Sequence, residues 1–417
     1  MMTQAFYTGL SGIRSDQYAI DVVSDNLANI STVGFRGAEY EFASLFEGAI
    51  TSANGPTDST VGIGSRLQAT TTKGSNGSLL LSDRSTDLAI VGNGWFGVQG
   101  EGDPIYTRNG AFTFDANDDL VSTDGSHVLG TMGNNITDTT LNSKLDAIQL
   151  GEVTTQEKLR FPKTLTYPPE PSSQANFVGN LGSLDEVRTM GSGVVDPFNN
   201  KNQLKLTFSQ VVPQVLPGSQ WDVVATTESL DGVTTYDTQA GIATFDAAGA
   251  LLTSSLTSID NNGAAVNIDL GSGFEGVVAL ANTDIYSSSS ANGTIGGDLA
   301  GYSINKNAEV IATFTNGEQS SVGKIAVYHF QNDQGLTRLN GSMFQESSNS
   351  GRPTFYTDAD GQNIIGTDIV NFKLEGSNVE MSYGLTELII LQRSYDANSK
   401  SITTSDQMMQ KALNMSA

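Results

Sequence analysis

Narrow apolar stripes occur at both ends of this 417-residue chain, and they constrain its fold more than any other feature. The N-terminal stripe recurs alternately every four and three residues, as the contact face of a coiled-coil helix does. Its members are Phe6, Leu10, Ile13, Gln17, Ile20, Ser24 and Leu27. Because two of the seven are polar, the stripe is too weak to stabilise an isolated helix, whose nucleation is costly. The pattern predicts a helix that packs against a partner.

The C-terminal tail has a matching stripe, which extends over about 30 residues of helix. Its members are Leu385, Leu388, Gln392, Tyr395, Ser399, Ile402, Asp406, Met409 and Leu413, and Ser382 precedes them as a candidate N-cap. Alone, either stripe is equally consistent with an ordinary surface helix. Their occurrence at opposite ends of a chain with almost no other long helical pattern predicts that the two terminal helices pair as a coiled coil.

The segment from Ser24 to Arg36 reads S-D-N-L-A-N-I-S-T-V-G-F-R. Asn26 and Asn29 tolerate left-handed turns, and Gly34 does not favour a helix, so we expect the first helix to end near Ile30. Residues 31–70 contain many glycines and predict an extended connector, with one short helix at 41–46. The terminal helical domain is therefore assigned to residues 1–30 and 382–417.

The body between the helices has the pattern of β-structure. Short apolar runs such as Leu88–Val91 and Trp95–Gln99 alternate with turn pairs such as Asn109-Gly110. These runs predict an antiparallel β domain that begins at residues 71–166. Strand patterns at Val310–Phe314 and Lys324–Phe330 predict that residues 299–381 complete it.

A second β domain is predicted between these two halves. The run Tyr167–Pro171 holds three prolines, which exclude a central strand and mark a boundary. Strand patterns then continue to a serine-rich run, Ser287–Ser290, which with Gly296 and Gly297 is interpreted as the return linker. The predicted fold is mainly β with terminal α-helices, in which a discontinuous β domain carries an inserted outer β domain, residues 167–298.

The charge and composition restrict the partners. With 21 basic and 45 acidic residues the net charge is −24, which argues against nucleic acid and anionic membranes. Only 16% of residues are charged, so the chain resembles turn-rich β modules more than a disordered acidic tail. The absence of cysteine excludes disulfides and thiolate metal sites. No Sec-type signal or run of about 20 apolar residues occurs, and composition alone indicates a cytoplasmic protein.

Several motifs imitate binding sites. Gly92–Gly97 matches a dinucleotide fingerprint, but Gly100, Gly102 and Pro104 prevent the helix that would hold a pyrophosphate. We interpret it as a tight turn that packs Trp95 and Phe96, and a secreted oxidoreductase is the alternative from an unrelated class.

The acidic runs and the histidines give no better site. Asp115–Asp119 has calcium-loop spacing but lacks the glycine and the bidentate glutamate, and Asp358 and Asp360 lack further ligands, so both predict Asx turns. His127 and His329 lie in distant segments. The sequence therefore predicts no catalytic, cofactor or metal site and no enzyme.

Five segments in order resemble the flagellar rod and hook protein family. They are Thr8–Ile13, Ser24–Phe35, Asp87–Phe96, Tyr106–Phe112 and Gln392–Lys400. Within the family, the large central insertion is similar to that of the hook members, as are Val322–Gly335 and Ser377–Ser382. The chain departs from the family at Gly384, where an acidic residue is usual, and glycine weakens the first turn of a helix by about 1 kcal/mol relative to alanine.

The resemblance implies a structural subunit that polymerises into the bacterial flagellar hook, the flexible universal joint transmitting torque from motor and rod to filament. The alternative is a minor hook paralogue, or a hook-associated or distal-rod-like axial protein. The implied polymerisation and axial-motif residues are Phe6, Leu10, Ile13, Ile20, Asn26, Leu27, Asn29, Gly34, Phe35, Leu385, Leu388, Gln392, Arg393, Tyr395, Ile402 and Met409.

The resemblance also implies partners and a location. The first partner is the chain itself, as a helical homopolymer; the others are the distal rod protein, the hook cap, the hook–filament junction protein and the flagellar export apparatus, with no nucleic acid and no membrane. The implied location is the extracellular hook, reached by flagellar type III export with an uncleaved signal. This expectation replaces the cytoplasmic one.

Overall fold

The computed structural model describes residues 2–46, 62–182, 186–214, 217–281, 283–340 and 342–415. Two long helices stand at its ends, α1 (Met2–Ala28) and α2 (Met381–Met415). Turns follow α1 at once, since the Thr32 amide donates to the Asn29 carbonyl, and the predicted end near Ile30 is confirmed within the usual tolerance. Ser382 lies inside α2, so its assignment as N-cap was wrong.

An antiparallel ribbon follows α1. Its strands are β1 (Ala38–Phe46) and β2 (Gly62–Thr72), with Ala38 opposite Thr72 and Leu45 opposite Gly64. The helix expected at 41–46 was therefore wrong. The period-two spacing of Tyr40 and Phe42, whose rings lie 5.1 Å apart, favours a strand. The connector residues 47–61 lie outside the described residues.

The body then alternates strands and turns in three runs. The first run is β3 (Leu79–Leu81), β4 (Leu88–Val91), β5 (Trp95–Gln99), β6 (Ile105–Thr107), β7 (Phe112–Phe114), β8 (Leu120–Ser122), β9 (His127–Met132), β10 (Ile136–Thr137), β11 (Thr140–Leu141), β12 (Glu157–Lys158) and β13 (Thr166–Tyr167). The second run is β14 (Gln174–Asn180), β15 (Arg188–Val195), β16 (Lys201–Gln210), β17 (Ser219–Ser229), β18 (Thr235–Phe245), β19 (Leu251–Ser254), β20 (Ser258–Asp260), β21 (Ala265–Asp269), β22 (Gly271–Ser272), β23 (Glu275–Val278) and β24 (Ser287–Ala291). The third run is β25 (Gly297–Ile304), β26 (Glu309–Phe314), β27 (Gln319–Ile325), β28 (Val327–Tyr328), β29 (Thr337–Asn340), β30 (Met343–Gln345), β31 (Tyr356–Thr357), β32 (Asn363–Ile364), β33 (Asp368–Asn371) and β34 (Lys373–Glu375). Short 3-10 turns occur at Val153–Thr155 and Asp333–Gly335.

Most strands of the first and third runs share one sheet, and the two runs share one core; β3 with β34, β4 with β33 and β31 with β32 form separate pairs. In that sheet β25, β26 and β27 lie between β13 and β9, so strands that are distant in sequence pair directly. Apolar residues from both runs, from Leu88 to Tyr167 and from Ile304 to Ile369, form a common buried cluster. This body is discontinuous in sequence, and the second run is inserted into it.

The inserted run forms two further sheets around its own core. Strands β15 to β19 pair in sequence order, and a second sheet has β14 at its centre. Trp221, Phe177 and Phe208 are fully buried between them. The linker assigned to Ser287–Ser290 was wrong, because β24 pairs antiparallel with β14, with Ser289 opposite Phe177.

These elements confirm the predicted fold class, mainly β with paired terminal helices and one β domain inserted in another. Within the described residues, neither helix combines the length and the apolar character that a membrane span requires.

Candidate functional site at the paired termini

The two terminal helices lie side by side and antiparallel. Near their common base, Leu27 of α1 packs against Gly384 of α2, where an added Cβ would lie 2.9 Å from the Leu27 Cδ2 atom. Gly384 is thus a contact glycine, and the first turn of α2 forms despite its low helix propensity. One turn higher, Ala19, Val23 and Leu391 form a small buried cluster. Ile20, Leu27, Tyr40 and Leu388 cover it.

The distal half of the pair depends on small and polar residues. A Cβ on Gly9 would lie 2.9 Å from Ile402 Cγ1, and one on Gly12 would lie 2.6 Å from the Asn398 amide. The Asn398 Nδ2 atom donates to Asp16 Oδ2 at 2.8 Å, and Asp16 is 7% exposed. Two glycines therefore make room for the Ile402 and Asn398 side chains of α2, and one buried hydrogen bond holds the helices together there.

The face of α1 that contacts α2 is offset by one residue from the predicted stripe. It contains Gly9, Gly12, Asp16, Ala19 and Val23, which keep the three-and-four spacing. The predicted members Phe6, Leu10, Ile13, Ile20 and Leu27 are half-buried beside it, whereas Gln17 and Ser24 are exposed. The prediction weighed apolar side chains, but the closest contacts belong to glycines and to a buried polar pair.

The predicted residues of α2 divide into two groups. Leu388 and Ile402 are half-buried against α1, and Met409 is half-buried. Leu385 is 48% exposed and Tyr395 37% exposed, and Gln392 and Arg393 are also exposed.

A broad apolar face of α2 is open to solvent. Its proximal members are Met381, Tyr383, Leu385, Ile389 and Ile390, each between 48% and 62% exposed. On α1, Tyr7 and Tyr18 are also exposed, and they lie on the side that faces the ribbon. Exposed apolar side chains in such number are unusual on the surface of a monomer and are common where another molecule binds.

The β1–β2 ribbon packs along another side of α1. The Asn26 side chain donates to the Ala38 carbonyl and accepts from the Ala38 amide, each at 2.8 Å. The Tyr40 hydroxyl donates to Glu387 Oε1 of α2 at 2.8 Å, and Ser65 bonds Ser15 at 3.0 Å. A groove of about 610 Å³ remains between α1 and the ribbon, with Leu10 in its wall. Asn26 is therefore a helix residue that holds the ribbon and does not form a left-handed turn.

The left-handed turn lies instead at Gly34, with φ of +68°. A Cβ there would lie 2.4 Å from the Asn109 amide nitrogen, so glycine is required both by its backbone angle and by this close approach. The Gly34 amide donates to the Glu375 carbonyl at 2.7 Å. Asn29 serves the preceding turn, since its side chain donates to the Asp25 carbonyl at 3.0 Å.

Charged residues meet in a buried cluster at the base of the helices, which we term the joint: Arg36, Arg108 and Glu375. The Glu375 carboxylate contacts Arg36 Nη2 at 2.8 Å and Arg108 Nη1 at 3.2 Å, and all three side chains are at most 3% exposed. It also accepts from the Gly77 amide at 2.9 Å. The joint thus connects the chain after α1, the end of the ribbon, the β body and the chain before α2.

The electrostatics of the joint leave an excess of positive charge. Burial and, after it, the charge of Arg36 lower the pKa of Arg108 to about 10, whereas Glu375 opposes the shift. Arg108 also donates to the Gly92 carbonyl at 2.7 Å, but its Nε atom is buried without a partner. Both arginines stay protonated at neutral pH, so Glu375 is essential to their burial.

Phe35 seals the joint on one side. It is 2% exposed, and the Arg338 guanidinium lies 4.9 Å from its ring centroid. Arg338 also donates to the Arg36 carbonyl.

Sequence reasoning included Phe35 and Gly34 but missed Glu375, Arg108, Asp16 and Asn398. The available signal was weak: Arg108 and Asn398 lie inside the recognised motifs and Arg36 directly follows one, whereas nothing in the sequence pairs them with their partners.

The motifs that imitate binding sites have structural roles. Strand β5 begins within the Gly92–Gly97 segment, at Trp95, and no helix follows it, and Trp95 and Phe96 are buried, as predicted. Asp115 accepts the Asn117 and Asp119 amides, which is the predicted Asx turn, and Asp358 accepts the Asp360 and Gln362 amides in the same way.

The two histidines lie apart in the structure as well. The His329 ring is buried and bonded to the Ile365 carbonyl at 2.7 Å, whereas His127 lies 3.2 Å from Asp119.

Three family models match the parts of the chain just described. "Flagella basal body rod protein" matches residues 6–36, "Flagellar hook protein FlgE/F/G D1 domain" matches residues 89–157, and "Flagellar basal body rod FlgEFG protein C-terminal" matches residues 372–415. They cover α1 with its following turn, part of the β body, and β34 with α2.

Curated relatives match along almost the whole chain. The flagellar hook protein FlgE of Escherichia coli K12 is 28% identical and that of Brucella suis is also 28% identical, over 99% and 98% of this chain and 100% and 98% of theirs. The FlgE of Borreliella burgdorferi is 26% identical over 99% of this chain and 100% of its own. In the solved structures, the Helicobacter pylori hook protein FlgE2 has the same fold, with a TM-score of 0.52 at 16% identity, over 71% of this chain and all of that one.

Proposed function

We infer that this chain belongs to the flagellar hook protein family and is a structural subunit of the bacterial flagellar hook. The observation that supports this most strongly is the extent of the match, because hook proteins align over 98% or more of both chains, inserted domain included. A rod protein would share the ends and lack the insertion. The role is therefore structural, and the paralogue or junction alternative is not favoured.

We propose that the helical pair is the polymerisation element. The pair has one small apolar cluster of its own, and much of the apolar surface of α2 is exposed. Helices of this kind gain stability chiefly from packing against neighbours. Assembly would then provide the burial that a single chain does not have, and the ordering of the helices would be coupled to polymerisation.

We propose further that different parts of the molecule provide the stiffness and the flexibility of the hook. The helical pair and the first β body, tied by the buried joint of Arg36, Arg108 and Glu375, would form the stiff part. The inserted domain, proposed as residues 167–298, would supply outer contacts that slide across polar, hydrated surfaces when the hook bends. The domain limits 1–30 with 382–417, 31–70, and 71–166 with 299–381 belong to the same proposal.

The finer partners and the route of export are also proposals. A hook subunit has to meet the distal rod protein, the hook cap and the hook–filament junction protein, and has to pass the flagellar export apparatus. The chain has no cysteine, so no disulfide can form before export. We propose export without signal cleavage to an extracellular position in the hook.

Electron microscopy of basal bodies from a strain that lacks this chain tests the function. We expect basal bodies that end at a bare rod, and we expect hooks to return when the full chain is supplied in trans. Supplying the chain without residues 1–30 is the matched control, and we expect no hooks from it. Intact hooks in the deletion strain would contradict the proposed function.

A further inference from the structure

Strand β3 consists of three consecutive leucines that are open to solvent. Leu79 is 40% exposed, Leu80 46% and Leu81 87%. Among the described strands, β3 pairs with β34 alone, so it is an edge strand. Proteins normally protect such edges with lysine, proline or a bulge, because an exposed apolar edge invites contact with another chain. Strand β3 contains no lysine, no proline and no bulge.

Phe372 enlarges this apolar surface at a cost to the backbone. Its carbonyl accepts the Ser82 amide at 2.9 Å, so it lies next to the end of β3, beyond the pair formed by Leu81 and Lys373. Its φ is +56° and its side chain is 44% exposed. An aromatic residue rarely adopts this left-handed conformation, and strain of this kind is characteristic of functional positions.

This surface lies beside the base of the helical pair. The Leu80 Cδ1 atom is 3.5 Å from the position of a Cβ on Gly376, and Gly376 follows Glu375 of the joint. The chain reaches the first turn of α2 five residues later, at Met381, where the exposed apolar face of α2 begins. The leucines and that face therefore adjoin along the chain.

We propose that the leucine edge, defined as Leu79–Leu81 with Phe372, is a contact surface for a second copy of this chain. The proposal rests on the proposed function, because a homopolymer places copies of the chain against one another. A second copy is the favoured occupant because the edge contacts Gly376, five residues before the start of α2, whose exposed apolar residues are the proposed polymerisation surface. The edge extends the subunit contact from the helices onto the β body.

Aspartate at Leu81 tests the proposal in the full-length chain. Because Leu81 is almost fully exposed, L81D should leave the circular dichroism spectrum and melting temperature of the monomer unchanged. We expect the critical concentration for polymerisation to rise by roughly tenfold or more, since the charge would be buried in each contact. L81M should polymerise normally. L252D is the matched control, because Leu252 is 64% exposed on the inserted domain, and it should raise the critical concentration far less.

The occupant is tested by a photoreactive amino acid at position 81. We expect cross-linked dimers of this chain in hooks and none in dilute monomer. Cross-links only to a different protein would overturn the assignment of a second copy. Wild-type polymerisation by L81D would overturn the contact itself.

Failure of this inference is distinguishable from failure of the proposed function. If the deletion strain keeps its hooks, the proposed function fails whatever L81D does. If the wild-type chain restores hooks and L81D restores them equally well, only the leucine edge is contradicted.

Discussion

At the residue scale, Glu375 is the group on which the joint depends most. It is the carboxylate that contacts both Arg36 and Arg108, and removing one partner of a buried ion pair typically costs about 3–5 kcal/mol. We expect E375Q to lower the free energy of unfolding of the first β body by several kcal/mol, and E318Q, in the exposed pair with Lys144, to lower it far less. Urea unfolding in a W221F background measures this, because Trp95 then reports alone. Equal losses in both variants would contradict the role of Glu375.

His329 predicts a pH dependence for the same body. Burial lowers its pKa below the ordinary value, while the backbone hydrogen bond to Ile365 opposes the shift. The unfolded chain therefore binds a proton at a pH where the folded chain does not. Stability should fall as the pH drops from about 6.5 towards the lower folded pKa.

Trp95 unfolding curves at pH 7 and pH 5.5 check this expectation. The loss between the two should be smaller in H329Q than in the wild type, and H127Q is the matched control, in which the full loss should remain. If H329Q and the wild type lose the same stability, another group is responsible.

The sequence identified which residues end the first helix, but not which charges meet there. Gly34 was predicted because glycine does not favour a helix, and Phe35 was named because it belongs to the family motif. Glu375 and Arg108 are separated by 267 positions, and the chain has 45 acidic residues as candidate partners for each arginine. Only the fold selects among them.

At the scale of elements, Gly12 should be more important than any apolar residue of the distal helical pair. Alanine normally stabilises a helix interior by about 1 kcal/mol relative to glycine, but here its Cβ would lie 2.6 Å from the Asn398 amide. We expect G12A to reduce hook assembly while the melting of the β body stays unchanged. S24A, on the exposed side of the same helix, should assemble normally. Counting hooks per cell by electron microscopy separates the two, and normal assembly by G12A would contradict the close contact.

The elements themselves were largely predictable, and their contact faces were not. The stripe predicted both helices and their pairing, because spacing is a property of sequence. It included Ile20 and Leu27, which pack at the α2 contact, but it weighed Leu10 and Ile13 above Gly9 and Gly12, which make the closest approaches in the distal half. The ribbon was missed for a related reason: its strand β1 alternates weakly, and its partner β2 lies beyond residues 47–61.

At the scale of the whole molecule, the inserted domain concentrates negative charge. Residues 167–298 contain 3 basic and 14 acidic residues, a net charge of 3 − 14 = −11. Neighbouring copies in a hook would therefore repel one another through these domains, and the repulsion would be screened by salt. We expect D222K and D269K, both at exposed positions, to change hook curvature before they affect assembly.

Curvature is measured on isolated hooks by electron microscopy at two salt concentrations. D222N and D269N are the matched controls, because each removes one negative charge without adding a positive one, and they should change curvature less. Unaltered curvature in the lysine variants would count against sliding contacts in this domain.

The nested order of the chain followed from local signals, and its exact limits did not. The prolines after Tyr167 indicated where the chain leaves the first body, because proline excludes a central strand. The return was placed too early, at Ser287–Ser290, since four serines are typical of a linker. The serines form strand β24 because they hydrogen-bond to β14. A local sequence pattern does not show which strand will pair with it.

The inserted domain joins the first body through two antiparallel stretches of chain, which bond each other where Glu170 pairs with Thr294. Two paired strands bend easily about an axis that lies in their plane and crosses both strands. They resist rotation about the axis that runs along the strands. Each subunit would then swing its outer domain in a preferred plane while keeping its azimuth. In a tube of such subunits, the bending stiffness would be low and the torsional stiffness high. A curved hook that transmits torque needs this combination.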